Sequence, residues 1–254
     1  MEIQDRVFIV TGGASGLGKG VVEAALARGA KIGVFDMNGA AGMTMKRLGS
    51  VVFQRVDVAD EASVTQGIAE VVEAFGRIDV CVCCAGIGLA GKTYGRKGPL
   101  PLADFKRVID VNLSGTFNVL RLAVAEMAKN EPDARTGERG AIVTTSSGAA
   151  YDGQVGQAAY SASKAGVIGM LLPIARDLAQ VGVRINDISP GPFDTGMMQG
   201  LSEALRQSLI DQTEFPKRLG MPSEFAALAL HMVENPFLNG ESVRLDAATR
   251  MRPR

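Results

Sequence analysis

A phenol and an ammonium stand four residues apart in AAYSASKAG, as Tyr160 and Lys164, and TTSSGAAY places the Ser147 hydroxyl thirteen residues before the tyrosine. On a helix, residues i and i+4 share a face, so both side chains are expected to enter the same space. An ammonium beside a phenol favours the phenolate and eases proton exchange with a nearby oxygen. That is general acid–base chemistry at a hydroxyl or carbonyl. A serine hydroxyl within reach would hold the same oxygen. Taken singly, each residue has an ordinary reading: core tyrosine, solvated lysine, turn serine. Their chemistry depends on a scaffold that brings them together beside a redox partner.

The scaffold is legible as an alternation. Short apolar runs at 7–10, 31–35, 51–56, 78–83, 140–146, 183–189 and 242–246 read as strands. Helical patterns lie between them, at about 16–28, 39–48, 61–75, 103–129, 158–180, 201–212 and 222–234. Continuous apolar strands separated by helices indicate a parallel sheet covered on both faces. The expectation is one α/β domain over 1–254, a Rossmann-type doubly wound sheet of seven strands. Two segments interrupt the alternation. Residues 88–102 form a Gly/Pro-rich loop carrying Lys92, Arg96 and Lys97, placed where a substrate could meet it. Residues 129–139 form a charged loop that reads as a solvated surface insertion.

The redox partner is indicated by VFIVTGGASGLGKG, where Gly12, Gly16 and Gly18 follow the first strand and open a helix. Gly12 permits a tight turn, Gly16 lets backbone approach a pyrophosphate, and Gly18 allows close helix packing. The helix N-terminus then offers N–H groups and a favourable dipole to phosphates. The spacing is G-x-x-x-G-x-G, and the strand before and helix after give the motif its force. Asp36 ends the second strand about twenty residues on, where a carboxylate accepts from ribose hydroxyls and repels a 2′-phosphate. No basic residue follows it (Met37, Asn38), and Ser15 occupies the glycine turn. NAD is therefore the expected cofactor. Asp57 could meet the adenine amino group, with Val58 supplying backbone, although Asp57 also reads as a helix cap. Cys84, Ala85 and Gly86 close the fourth strand with small residues that let backbone lie against a nucleotide. A cofactor here makes the first three residues those of an alcohol dehydrogenase or carbonyl reductase.

Composition removes other classes. Lys+Arg and Asp+Glu number 27 each, so there is no basic excess for a nucleic acid. The longest apolar runs are short and broken, and no transmembrane segment is expected. Strand-like residues begin at Val7, so no signal or transit peptide is expected and the location is read as cytoplasmic. The three cysteines, Cys81, Cys83 and Cys84, crowd one run, and the one histidine, His231, is far off in sequence. Reduced buried thiols are expected, and no metal site.

These motifs together carry a resemblance. TGGASGLG, Asp57, CAG, VNLSGTFN, Ser147, YSASK and PGPFDT resemble the short-chain dehydrogenase/reductase family along nearly the whole chain. Within it, KTY, NEPD, GQVGQAAYSASK, PIARDLA, ENPFLNGE and the RLD…RM ending are similar to the type 2 3-hydroxyacyl-CoA dehydrogenases, the multifunctional hydroxysteroid dehydrogenase subgroup. The resemblance implies Tyr160 as acid/base, Lys164 as its partner on the nicotinamide ribose, Ser147 as holder of the substrate oxygen and Asn112 as anchor of a relay water. It implies nucleotide contacts at Ser15, Leu17, Asp36, Asp57, Val58, Cys84, Phe193 and Thr195. Cys84 stands where the broader family has Asn; the subgroup shares the cysteine. The implied substrate is a 3-hydroxyacyl-CoA, with Lys92, Arg96 and Lys97 available to a CoA phosphate. Alternatives are a hydroxysteroid or other bulky alcohol under a lid at about 190–215 (Phe193, Met197, Met198, Leu201, Leu205), a 3-ketoacyl-carrier-protein reductase, which Asp36 disfavours, and a non-catalytic scaffold. The resemblance also implies a homotetramer, and tails of this family often reach a neighbouring subunit.

Overall fold

The computed structural model describes residues 1–196 and 202–253. Its centre is a parallel sheet of seven strands in the order β3-β2-β1-β4-β7-β8-β9. These are β1 (Val7–Thr11), β2 (Lys31–Asp36), β3 (Val51–Arg55), β4 (Val80–Cys83), β7 (Gly140–Thr145), β8 (Val183–Pro190) and β9 (Ser242–Leu245). All seven strands anticipated from the apolar runs are present. Such runs form central strands because both faces are covered: every residue of β1, β4, β7 and β8 is buried. Alternation then divides the core. Phe8 and Val10 join Val21, Val22, Phe225 and Ala229 on one side; Val7 and Ile9 join Val64, Ile68, Val119 and Leu171 on the other.

The first side is covered by α1 (Gly16–Leu26), α2 (Gly39–Met45) and α8 (Pro222–Glu234), the second by α3 (Glu61–Phe75), α5 (Gly115–Met127) and α6 (Ala158–Asp177). Local chemistry sets some ends. The Asp60 carboxylate accepts from Ala62 N–H at the start of α3, and Gly76 ends the helix in the left-handed region. Pro222 starts α8, where its missing N–H costs nothing.

Three places depart from expectation. The loop at 88–102 contains a small antiparallel hairpin, β5 (Tyr94–Gly95) with β6 (Gly98–Pro99). The helical pattern at 103–129 is three segments, α4 (Leu102–Ile109), a wider π-turn (Asp110–Ser114) and α5. Apolar periodicity cannot report a one-residue widening, which commonly marks a functional position. The loop at 129–139 is not plain surface. Asn130 is buried and donates to the carbonyls of Ile78 and Arg139, and Glu138 is buried against Arg184.

Two helical stretches, Leu102–Met127 and Ala158–Asp177, match a membrane span in length and mean hydropathy (1.2), although their apolar runs are short and broken. Both lie against the sheet layers. Of the lid at 190–215, Met197, Met198 and Leu201 lie outside the described residues; Leu205 is exposed on α7 (Glu203–Asp211).

Candidate active site

A cleft of about 1250 Å³ opens along the C-terminal ends of β1, β2, β4, β7 and β8. One wall is the glycine turn between β1 and α1. Gly12 has φ +63°, and a Cβ there would lie 3.0–3.1 Å from the backbone of Cys84 and Ala85. A Cβ on Gly18 would lie 2.4 Å from the Gly12 carbonyl oxygen. Glycine at 12 and 18 thus lets α1 start directly under the strand ends. Ser15 is the N-cap of α1 in extended conformation, and its side chain makes no capping bond. The first-turn N–H groups beside Ser15, Gly16 and Leu17 therefore face the cleft without a side-chain partner. Thr195 closes over the turn, 3.3 Å from where a Gly16 Cβ would be. Phe193 is buried and stacks edge-on against Phe225, ring centres 6.3 Å apart.

Beside the glycine turn, the cleft holds the carboxylates. Asp36 accepts from Ala14 N–H through Oδ2 (3.1 Å) and from Asn38 N–H through Oδ1 (2.9 Å). It fastens the glycine turn to the end of β2 and keeps lone pairs for a ligand. Asp57 folds onto Ala59 N–H (3.0 Å) and lines the cleft; the cap of α3 is Asp60, so the helix-cap reading of Asp57 fails. The Val58 carbonyl accepts from Asn118 Nδ2 (3.0 Å). The Cys84 thiol takes a bond from Thr145 Oγ1 (3.5 Å), and burial pushes it up to about 12, so it is a neutral lining group. Ala85 N–H donates to Thr11 Oγ1, and Gly86 faces both Asn112 and Lys164.

Tyr160, Lys164 and Ser147 all reach the same cleft. The first two share one face of α6, with Lys164 Nζ 5.9 Å from the Tyr160 ring centre. The ammonium is buried and donates to the Thr145 carbonyl (2.7 Å). Ser147 is extended (φ −169°) just after β7, and its Oγ accepts from Ala149 N–H (3.1 Å). Asn112 lies in the π-turn, fully buried and behind the lining. Its Oδ1 accepts from Ile87 N–H (2.8 Å), and its Nδ2 donates to the Ile87 carbonyl (3.0 Å) and Ser163 Oγ (3.1 Å). The Asn112 side chain therefore ties the segment after β4 to α6; both its N–H groups are in use, and Oδ1 keeps a second lone pair.

A family model described as short chain dehydrogenase matches residues 6–206. The chain belongs to the short-chain dehydrogenase family. It is 50% identical to the 3-hydroxyacyl-CoA dehydrogenase type-2 of Homo sapiens, over 99% of this chain and 98% of that protein. It is 49% identical to the protein of the same name from Drosophila melanogaster, over 99% of this chain and 100% of that one. The solved 3-hydroxyacyl-CoA dehydrogenase type-2 from Mycobacterium avium superposes with a TM-score of 0.94 at 38% identity, covering 100% of this chain and 98% of the other. This short-chain dehydrogenase is an oxidoreductase, and its cofactor is a nicotinamide dinucleotide. The uncapped α1 N-terminus and the side-chain-free cradle at Gly12 and Gly18 fit such a group.

Several lining residues of the dehydrogenase were not anticipated, among them Lys106, Arg107, Gln157 and Met251. Met251 arrives because the C-terminal segment folds across its own chain. Val155 N–H donates to the Pro253 carbonyl (3.1 Å), Gln154 Nε2 to the Arg252 carbonyl (2.8 Å), and Arg252 N–H to Gln212 Oε1 (3.2 Å). Thr145 acts through its carbonyl, which no side-chain pattern can announce. Lys92, Arg96 and Lys97 are exposed around the β5–β6 hairpin, outside the lining, while Gly88, Leu89 and Ala90 at the loop's root lie inside it. Cys81 and Cys83 are buried with sulfurs 3.7 Å apart, and among the described residues no cluster could hold a metal.

Proposed function

We propose that this chain interconverts a 3-hydroxyacyl-CoA and a 3-ketoacyl-CoA with NAD as cofactor. The observation that carries the reaction is the meeting of Tyr160, Ser147 and Lys164 in one cleft with the glycine turn and Asp36. The substrate class is supported by the relatives of that name at about half identity over almost the whole chain. NAD over NADP is supported by the Asp36 carboxylate, which would accept from two ribose hydroxyls and oppose a 2′-phosphate.

A nicotinamide dinucleotide held by the glycine turn (Gly12, Gly16, Gly18) and Asp36 would supply the hydride exchange. The chain's own residues do the rest. Ser147 Oγ donates to the substrate oxygen and keeps it beside Tyr160. In oxidation the Tyr160 oxygen takes the hydroxyl proton; in reduction it returns one to the same oxygen. Lys164, held by the Thr145 carbonyl, places a positive charge beside the phenol. Asn112 holds the wall at Ile87 and keeps one Oδ1 lone pair for a relay water. A homotetramer is the proposed assembly, consistent with the fully exposed Phe237 and the half-exposed Phe117 and Leu172.

The test is a panel of acetoacetyl-CoA, longer 3-ketoacyl-CoAs, steroids and a small uncharged ketone, each with NADH and NADPH. Acetoacetyl-CoA with NADH is expected to give the highest kcat/KM among the small substrates. Replacing Lys92, Arg96 and Lys97 with alanine should raise KM for acetoacetyl-CoA about tenfold and leave the small ketone within twofold, since charged contacts to phosphate are worth about 1.5–3 kcal/mol. Equal effects on both would return the loop to plain surface.

A further inference from the structure

Behind the cleft wall lies a carboxylate that the chemistry above does not use. Asp187, on β8, is fully buried, and burial pushes its carboxyl up from the usual range. It shares a strand face with Ile185, which packs in the core layer under α6. Among the described residues no arginine or lysine bonds to it. Three hydroxyls do: Thr144 Oγ1 donates to Oδ1 (3.0 Å), and Ser146 Oγ and Ser242 Oγ donate to Oδ2 (2.5 and 2.7 Å). Thr144 and Ser242 are its direct neighbours in register on the flanking strands. A row of hydroxyl, carboxylate and hydroxyl thus crosses β7, β8 and β9.

Burying a carboxylate without a cation in contact is unfavourable, and small apolar side chains would fill the same place. What the carboxylate holds explains its position. Thr144 and Ser146 flank Thr145, whose carbonyl takes the Lys164 ammonium and whose hydroxyl meets Cys84. Ser146 N–H also donates to the Ile188 carbonyl (3.0 Å), and Ser147 follows at once. The peptide groups that aim Lys164 and present Ser147 are therefore gripped on both sides by one carboxylate.

We propose that Asp187 is a positioning residue: it clamps Thr144 and Ser146 and so fixes the Thr145 carbonyl and the Ser147 hydroxyl in the cleft. The proposal rests on the roles assigned above to Lys164 and Ser147. Displacement of reacting groups by about 1 Å can cost about 100-fold in rate, so a loosened clamp acts on kcat.

The experiment compares Ser146→Ala with Ser242→Ala in the full-length enzyme. Each removes one hydroxyl from the same oxygen of Asp187, but only Ser146 adjoins the gripped peptides. With acetoacetyl-CoA and NADH (or the ketone that the panel selects), Ser146→Ala should lower kcat about tenfold, with KM and the NADH Kd within twofold. Ser242→Ala should keep kcat within twofold at a similar loss of Tm. Asp187→Leu should reproduce the loss in kcat, and Asp187→Asn, which can still bond Thr144 and Ser146, should recover most of it. Equal effects of the two serine variants, or a kcat loss that follows Tm across the set, overturns the clamp. If Asp187→Leu does not fold, the serine pair decides alone. Tyr160→Phe measured beside them separates the two ideas. An inactive Tyr160→Phe with an unaffected Ser146→Ala removes only the clamp, whereas an active Tyr160→Phe removes the acid–base assignment and leaves the serine pair to judge the clamp.

Discussion

The two ends of the parallel sheet treat buried charge in opposite ways. At the N-terminal ends of the strands, charges neutralise each other. Arg184 Nε bonds Glu138 at 2.5 Å, and its other nitrogens donate to the carbonyls of Met232, Val233 and Leu238, at and just beyond the C-terminus of α8. Asp79 accepts from Arg6 and Arg77 and from Val7 N–H. At the C-terminal ends Arg244 on the edge strand still pairs with Asp152 and Asp246, but the charged groups in and behind the cleft, Lys164, Asp187 and Asp36, are held by carbonyls, hydroxyls and backbone N–H groups. Neutral partners fix a charge in place without cancelling it. One end pairs its buried charges with each other; the other holds the charges at the cleft with neutral groups.

The largest test of this contrast is Tyr160→Phe. It removes one oxygen at the open end and touches no ion pair, so Tm and the NADH Kd should stay near wild type. Loss of general acid–base catalysis is worth about 10²- to 10⁴-fold, and kcat should fall by that amount in steady-state assays. Retained turnover would mean that the open end does not work through Tyr160.

The converse test is Glu138→Gln at the closed end. Breaking a buried pair costs about 3–5 kcal/mol because the remaining charge is left uncompensated. In a chain of this length that is a fall in Tm of about 10 °C, read by calorimetry, with kcat per folded molecule unchanged. Burial raises the Glu138 carboxyl, but the hydrogen bond and charge of Arg184 outweigh it and hold it below the usual range. A depressed folded value means the contribution is present above the unfolded carboxylate value of about 4.3 and is lost as pH falls through the folded value. The difference in stability between wild type and variant should therefore close below about pH 4. A constant difference through that range would break the ion-pair account.

The same contrast explains what could be read from the sequence. The seven strands were visible because buried parallel strands are continuous apolar runs, and the cleft because glycine turn, Asp36 and YSASK are side-chain patterns at fixed spacing. The closed end was not visible. Glu138 belongs to a charged loop that reads as surface, and its partner Arg184 is 46 residues away in sequence. Nor was the support of the site visible. Thr145 works through its carbonyl, the π-turn at Asn112 leaves the apolar period intact, and Asp187 meets its hydroxyls only once β7, β8 and β9 are in register. Met251 needed the path of the tail, which spacing does not encode.

The smallest expected effect lies at the rim of the open end. Asp36 bonds Ala14 and Asn38 N–H groups, so its carboxylate both holds the glycine turn and faces the ribose position. Asp36→Ala removes both. A charge-assisted hydrogen bond is worth about 1.5–3 kcal/mol, so kcat/KM with NADH should fall about 10- to 100-fold, mostly through KM. With NADPH the lost repulsion of the 2′-phosphate offsets the loosened turn, and kcat/KM should hold or rise. The ratio of the two cofactors is therefore the decisive quantity. If both fall together, Asp36 serves the glycine turn alone, and the open end chooses its nucleotide elsewhere.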